Sequence, residues 1–262
     1  MLKTLDNALE LLEYFTRETP SWGVRELAKE MDMSHSIVHR ILTTFESRGF
    51  LIQNDETKKY ELGTKLWEYG SIIRDNLRIS DVILPVMHTL SEETGESVFL
   101  TWLDDHEGIC VEIAESQQRI KYAMSSVGDR TPLYAGASNK VIMAYLPKAD
   151  QETIIDKGLK PKTGKTVIDP EKLMEDLAAI RKAGWAYSVG EYSDATFGIA
   201  LPIFNKRREI VASLTLAGPE YRMPEAKVSE VLDMMRRKRD EIEACLHKLS
   251  ISSVAGRRHP IS

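Results

Sequence analysis

The chain has 262 residues, long enough for two domains, and is 42% hydrophobic and 29% charged, the balance of a soluble globular protein. No run of about 18 apolar residues is present, which excludes a transmembrane helix. The net charge of −5 excludes binding to nucleic acid by bulk positive charge, so a DNA reading must rest on where the cations fall.

The first stretch, "MLKTLDNALELLEYF", alternates charged and apolar residues and lacks a signal-peptide core. Cys110 and Cys245 lie far apart without metal-type spacing and read as cytosolic thiols. The expected location is therefore the cytoplasm.

Leu5, Ala8, Leu9, Leu12 and Phe15 predict a first helix with one apolar stripe. "ETPSWG" breaks it, and Val24, Leu27, Ala28 and Met31 give a short second helix with Ser21 as its expected cap. After "MDM" comes "SHSIVHRILTTFESRGFL". Here Val38, Ile41, Leu42 and Phe45 form a buried stripe, Ser34 is the N-cap candidate, and Gly49 stands where a helix ends. "FLIQNDETKKYEL" then reads as a hairpin. Three helices and a hairpin predict a winged helix-turn-helix.

From Thr64 a linker helix is expected, carrying Leu66, Tyr69, Ile72 and Ile73, with another helix over residues 81–94. Beyond it, "SVFLTWL", "GICVEIA", "RIKYAM", "WAYSVG", "GIALPIF" and "EIVASLTLAG" read as strands. Helices are expected from about Asn139, over 149–157 and 170–183, and from Pro224 to Leu249. Strands flanked by helices predict an antiparallel α+β sensor-type domain. The expected organisation is a DNA-binding domain over 1–63, a linker over 64–80, a ligand-binding domain over 81–250 and a flexible tail over 251–262.

A helix in the major groove needs short or bidentate polar side chains toward the bases and cations at the flanking phosphates. Ser34, His35, Ser36, His39, Arg40 and Thr43 meet the first need, and Arg25, Arg48, Lys58 and Lys59 the second. No acid interrupts this face before Glu46. Over residues 1–64 there are 8 Lys and Arg against 11 Asp and Glu, so charge is arranged without being in excess. Against this, each residue alone could sit on a plain solvated face. His35 and His39, at i and i+4, could form a metal pair, with no third ligand near in sequence.

In the second domain, "RTPLYAGASNKVIMAYL" places small Ala135, Gly136, Ala137 and Ser138 before a helix, where a ligand could approach the backbone. Ser138 could equally be a helix cap. "ASLTLAG" sets Ser213, Thr215 and Ala217 on one strand face. No nucleophile elbow, P-loop, dinucleotide fingerprint or zinc-protease helix is present, so no catalytic set is expected and no cofactor is implied. Arg236, Arg237, Lys238 and Arg239 read as a solvated helix face or a second nucleic-acid patch.

"IVHRIL" with "ESRGFL", "PLYAGASNKVIMAYLP", and "GWAYSVGEYSDATFGIALPIFN" followed by "EIVASLTLAGP" together resemble the IclR family of bacterial transcription regulators over nearly the whole chain. The resemblance implies a winged helix-turn-helix, a linker helix and a GAF/profilin-like ligand-binding domain. It implies homodimers or dimers of dimers on partly palindromic double-stranded DNA, tuned by a small organic or aromatic acid, with no membrane partner. It places Ser36, His39 and Arg40 at DNA, with Ser34 and His35 at the helix start. It places Ala137, Ser138, Ser188, Thr196, Gly198, Thr215 and Ala217 around the effector. The sequence departs from the family pattern at Ile37, commonly a hydroxyl, and at Asp32, commonly Gly. Ser188 and Gly198 replace polar or thiol-bearing residues of glyoxylate-type members, and the volume freed at Gly198 suits a larger ligand. The expected function is a ligand-responsive regulator, more often a repressor, of a catabolic operon. The alternatives are a DNA-binding protein without an effector and an enzyme fused to a DNA-binding module.

Overall fold

The computed structural model describes residues 2–77, 79–120 and 126–249. Most of the expected strand "RIKYAM" (residues 121–124) and the expected flexible tail lie outside the described residues. The chain divides into two compact units between Asn76 and Leu77.

The first unit runs α1 (Lys3–Glu13), β1 (Ser21–Trp22), α2 (Val24–Glu30), α3 (His35–Ser47), β2 (Leu51–Gln53), β3 (Tyr60–Leu62) and α4 (Thr64–Leu77). Its three short strands pair in the order β1-β3-β2, all antiparallel. Leu11, Leu27, Val38, Leu42 and Leu51 are fully or almost fully buried and form the core. The first-helix stripe is rotated from its expected position. Ala8, Leu11, Leu12 and Phe15 face the core, whereas Leu5 and Leu9 are 54% and 53% exposed. One small core cannot take both sides of a helix, and the side centred on Leu11 buries the larger set.

Two local features differ from expectation. Ser21 is not the cap of α2, because it pairs with Glu61 in the sheet. The cap is Gly23, whose N–H donates to Glu26 Oε2 at 2.9 Å. Ser34 does precede α3, but its hydroxyl meets that of Ser36 at 3.2 Å rather than the helix backbone. The turn between α2 and α3 puts Asp32 at φ +49°, the left-handed region where Gly is easiest and Asp is tolerated. Gly49, at φ +77°, closes α3 with its N–H donating to Glu46 O at 2.9 Å. On α4, Trp67, Tyr69, Ile72 and Ile73 are all exposed.

The second unit begins with α5 (Ile79–Val82) and α6 (Leu84–Thr94). The single helix expected over 81–94 is thus interrupted, because Pro85 removes a backbone donor and is tolerated only in a first turn. Next come β4 (Ser97–Asp104), β5 (Glu107–Ala114), β6 (Arg130–Pro132), α7 (Ala137–Met143), α8 (Lys148–Asp156), α9 (Pro170–Ala183), β7 (Ala186–Val189), β8 (Thr196–Phe204) and β9 (Ile210–Pro219). A 3-10 turn (Glu220–Arg222) leads into α10 (Glu225–Leu249). The α9 start is as the Asp169-Pro170 pair predicts: Asp169 Oδ1 accepts the Lys172 N–H at 2.8 Å.

The strands form one antiparallel sheet in the order β6-β5-β4-β9-β8-β7. Period-two alternation gives its two faces different characters. Val98, Leu100, Leu214, Leu216, Ile199 and Leu201 pack with Met87 and Leu90 of α6 and Met235 and Ile242 of α10. The next residue along each strand faces the other side, where Ala200 joins the core made by α7, α8 and α9. That second face is small and polar near its centre, with Phe99 opposite Thr215, Thr101 opposite Ser213, and Gly198 opposite Ala217. On α10, Arg236 pairs with Asp233, Lys238 with Glu241 and Arg239 with Asp240, as a solvated helix face arranges its charges.

Candidate functional site

The first unit presents the polar face of α3 to solvent. Ser34, His35, Ser36, His39 and Arg40 are exposed, as are Arg25 on α2 and Lys58 in the β2–β3 turn. Thr43 is half-buried and its hydroxyl donates back to His39 O at 2.9 Å. Ile37 is 45% exposed and so sits among the polar groups as an apolar contact. Lys59 behaves differently from Lys58. Its ammonium is bound to Glu26 at 2.9 Å, and Glu26 is the same carboxylate that caps α2. The Gly23 N–H, followed by Lys59, holds the Glu26 carboxyl below its ordinary range. Lys59 therefore joins the wing to α2, while Lys58 is looser, 3.7 Å from Asp55. Among the described residues, no group of three or more His, Cys, Asp or Glu is placed to hold a metal ion.

The second unit contains a cavity of about 70 Å³ on the small, polar face of the sheet, and Ala137, Ser138, Ser188, Thr196, Gly198, Thr215 and Ala217 all line it. The start of α7 forms one wall. Gly136 caps the helix at φ +80°, and a Cβ there would stand 3.1 Å from Tyr192 Cβ, so two constraints favour glycine. Ser138 is thus inside the first turn and is not the cap. The Ala137 N–H donates to Ser188 Oγ at 2.9 Å, which occupies the first helical amide with protein. Thr196 Oγ1 donates to Ser193 O at 2.6 Å. Thr215 Oγ1, by contrast, is buried and has no hydrogen-bond partner.

Gly198 does not open the volume expected of it. A Cβ at Gly198 would lie 3.3 Å from Ala137 Cβ and 3.5 Å from Ser188 Oγ, so its neighbours already close in. The cavity is about half the size of one that holds benzene, of order 150 Å³. It suits the smaller end of the expected ligand range.

Several lining residues carry no clear sequence signal: Phe99, Thr101, Cys110, Asn139, Glu191 and Tyr192. Phe99 and Thr101 could be found only by knowing that β4 lies beside β9. Asn139 Oδ1 accepts from Thr131 Oγ1 at 3.0 Å and its amide donates to Ala135 O, so it braces the small-residue loop. Burial, with Asp129 and Glu112 nearby, pushes the Cys110 thiol up to about 12 and keeps it neutral. Burial likewise raises the Tyr192 phenol, with Asp129 adding to it.

A two-part molecule of this kind, with an exposed polar recognition helix in one unit and a small-molecule cavity in a sheet-and-helix second unit, belongs to the ligand-responsive transcription regulators. The IclR helix-turn-helix domain matches residues 4–55, and the C-terminal domain of the bacterial transcriptional regulator IclR matches residues 73–244. The chain belongs to the IclR family of bacterial transcriptional regulators, with a DNA-binding N-terminal domain and an effector-binding C-terminal domain. It is 33% identical over 235 residues to the HTH-type transcriptional regulator KipR of Bacillus subtilis (strain 168), covering 89% of this chain and 93% of that protein. It is 28% identical to the transcriptional repressor IclR of Escherichia coli (strain K12), covering 92% of this chain and 89% of that one. The crystal structure of an IclR homolog complexed with 4-hydroxybenzoate from Microbacterium hydrocarbonoxydans matches with a TM-score of 0.79 at 25% identity, over 93% of this chain and 98% of that one. KipR and the E. coli IclR are both transcriptional regulators by name. Among the described residues, no helix is long and apolar enough to cross a membrane.

Proposed function

We propose that this chain is a cytoplasmic, non-enzymatic repressor of a catabolic operon, released from or locked onto its operator by a small organic acid. The reading rests chiefly on the cavity beside α7, where a buried, unpartnered Thr215 hydroxyl meets small residues on three elements. A ligand carboxylate is a natural acceptor for that hydroxyl. The repressor sign draws on the E. coli relative, and the acid on the 4-hydroxybenzoate complex.

On the DNA side, Ser36, His39 and Arg40 face the base edges, with Ser34, His35 and Thr43 around them and Arg25 and Lys58 at phosphates. Lys59 contributes through its hold on Glu26. A homodimer, or a dimer of dimers, sets two such faces on a partly palindromic site, and exposed Trp67, Tyr69, Ile72 and Ile73 of α4 supply part of the contact between copies. Binding of the acid favours one arrangement of the paired DNA-binding units over another, and two half-sites read that difference as affinity.

Two experiments test this. Arg40→Ala should abolish specific operator binding while the oligomeric state stays that of the wild type; unchanged operator affinity would refute the assigned groove face. A thermal-shift screen of organic, aromatic and sugar acids should yield a stabilising ligand, by about 2.7 kcal/mol at a hundredfold excess over its dissociation constant. A screen with no acid hit, on protein that still binds its operator, would remove the effector half of the reading.

A further inference from the structure

Leu11 of α1 and Val38 and Leu42 of α3 share the core of the DNA-binding unit. Ahead of Leu11 the two helices are separated by a groove of about 610 Å³, lined by residues 3–5 and 7–9 of α1 and residues 37, 40, 41, 44 and 45 of α3. Buried Ile41 and half-buried Ala8 and Phe45 form its floor, and Leu5, Leu9 and Ile37 stand exposed at its edges. Ile37 and Arg40 belong at once to this groove and to the exposed face of α3, so the groove continues that face toward α1.

The charges of the groove are of one sign. Its lining holds no Asp or Glu, although 11 of the first 64 residues are acids, and Asp6, Glu10 and Glu13 of α1 all lie outside it. It holds two cations, Lys3 and Arg40. Both are exposed, and neither has an ion-pair partner among the described residues, whereas Lys59 is held by Glu26 and Lys65 by Glu68. A protein partner laid over the groove would take both cations out of water and would have to supply buried carboxylates for them. A DNA strand brings the anions with it. Its sugar carbons and thymine methyl groups also give Leu5, Leu9 and Ile37 apolar contact.

We propose that the groove between α1 and α3 receives the sugar-phosphate backbone of one DNA strand, with the Lys3 ammonium at a phosphate beside the base edges that Arg40 meets. This rests on the face assigned to α3 above. Thr4 and Asn7, on the same wall as Lys3, add neutral donors for phosphate oxygens. Phosphates carry no sequence information, so α1 supplies grip and register while α3 supplies specificity.

Fluorescence anisotropy of the whole chain across a potassium chloride series tests the proposal, on one duplex from its own upstream region and one of unrelated sequence. Lys3→Gln should weaken both duplexes alike, by about 5- to 10-fold near about 0.1 M salt. It should also lower the slope of log affinity against log salt by about 0.9, as the loss of one phosphate contact does. The preference for the upstream duplex should stay at its wild-type value. Lys182→Gln, which removes one exposed charge from α9, should change neither affinity nor slope. Wild-type affinity and slope in Lys3→Gln would overturn the proposal. A loss of affinity at unchanged slope would overturn it as well, because that is what a merely structural lysine gives. A changed oligomeric state of Lys3→Gln in analytical ultracentrifugation would assign the groove to a second copy and overturn it. Arg40→Ala on the same duplexes keeps the two readings apart. If it loses the upstream preference while Lys3→Gln keeps the wild-type slope, only the Lys3 contact falls. If it keeps that preference while Lys3→Gln lowers the slope, the base-reading role of Arg40 falls and the Lys3 contact stands.

Discussion

The hydroxyl of Ser188 accepts the backbone N–H of Ala137 at 2.9 Å, and this one bond joins the edge strand β7 to the first turn of α7 at the wall of the cavity. Ser188 is paired across the sheet with Gly198, whose missing side chain leaves room for Ala137. The three residues thus form a unit in which each small size permits the next contact. Removing the hydroxyl in Ser188→Ala would strand a buried amide, at a cost of about 1–3 kcal/mol. Urea unfolding should show a lower midpoint with an unchanged slope, together with weaker effector binding.

The turn between α2 and α3 makes a separate prediction. At φ +49°, Asp32 holds a conformation that Gly adopts freely, Asp tolerates and a β-branched residue resists. Asp32→Gly should leave stability and DNA affinity close to wild type. Asp32→Val should cost about 1–2 kcal/mol and loosen the presentation of α3. Thermal melts of the two variants side by side check the ordering.

Much of this molecule can be read from periodicity. The long amphipathic segments show in the spacing of their apolar residues, and Pro170, Gly49 and the polar face of α3 lie where their chemistry places them. What escapes such a reading has physical reasons. β1 has two residues and β6 three, too few for alternation to register. Ser21 has the chemistry of a cap, but pairing with Glu61 makes it a strand residue, a long-range fact that no local signal carries. Leu5 and Leu9 share helical spacing with Ala8 and Leu12, but the side centred on Leu11 buries the larger set, and which residues face the core is settled only by packing. In the cavity, the small residues and hydroxyls of β8 and β9 are visible as a face. Phe99, Thr101 and Cys110 join them only through strand order, and Glu191 only through the β7–β8 loop, pinned by Lys140, Thr163 and Thr166.

Gly108 is constrained by volume rather than by backbone angle. A Cβ there would stand 2.3 Å from Asn139 Oδ1 and 2.7 Å from Thr101 Cγ2. Gly108→Ala should therefore displace Asn139 from Thr131 and cost about 1–3 kcal/mol. Gly164 offers the control, because nothing lies within 4 Å of its Cβ position. Gly164→Ala should be neutral or slightly stabilising in the same denaturation assay.

Cys110 gives a prediction with a defined pH window. Its thiol is raised from 9.0 to about 12 in the folded protein, so it favours the folded state fully below pH 9. As pH rises from 9 toward 12 the unfolded chain ionises first, and that contribution is lost. Stability of the wild type should therefore fall more steeply across this window than that of Cys110→Ala, which has no thiol to titrate there. Native Cys110 should also alkylate far more slowly at pH 8 than the partly exposed Cys245, as mass spectrometry of iodoacetamide-treated protein would show.

The central claim is that occupancy of the cavity and grip on DNA are linked. Fluorescence anisotropy of the protein on DNA from its own upstream region, with and without a saturating acid that has already been shown to bind, measures that link directly. The account predicts a change in operator affinity of about fivefold or more, lost when Thr215 is replaced by Val. An acid that occupies the cavity and stabilises the protein yet leaves operator affinity unchanged would contradict it.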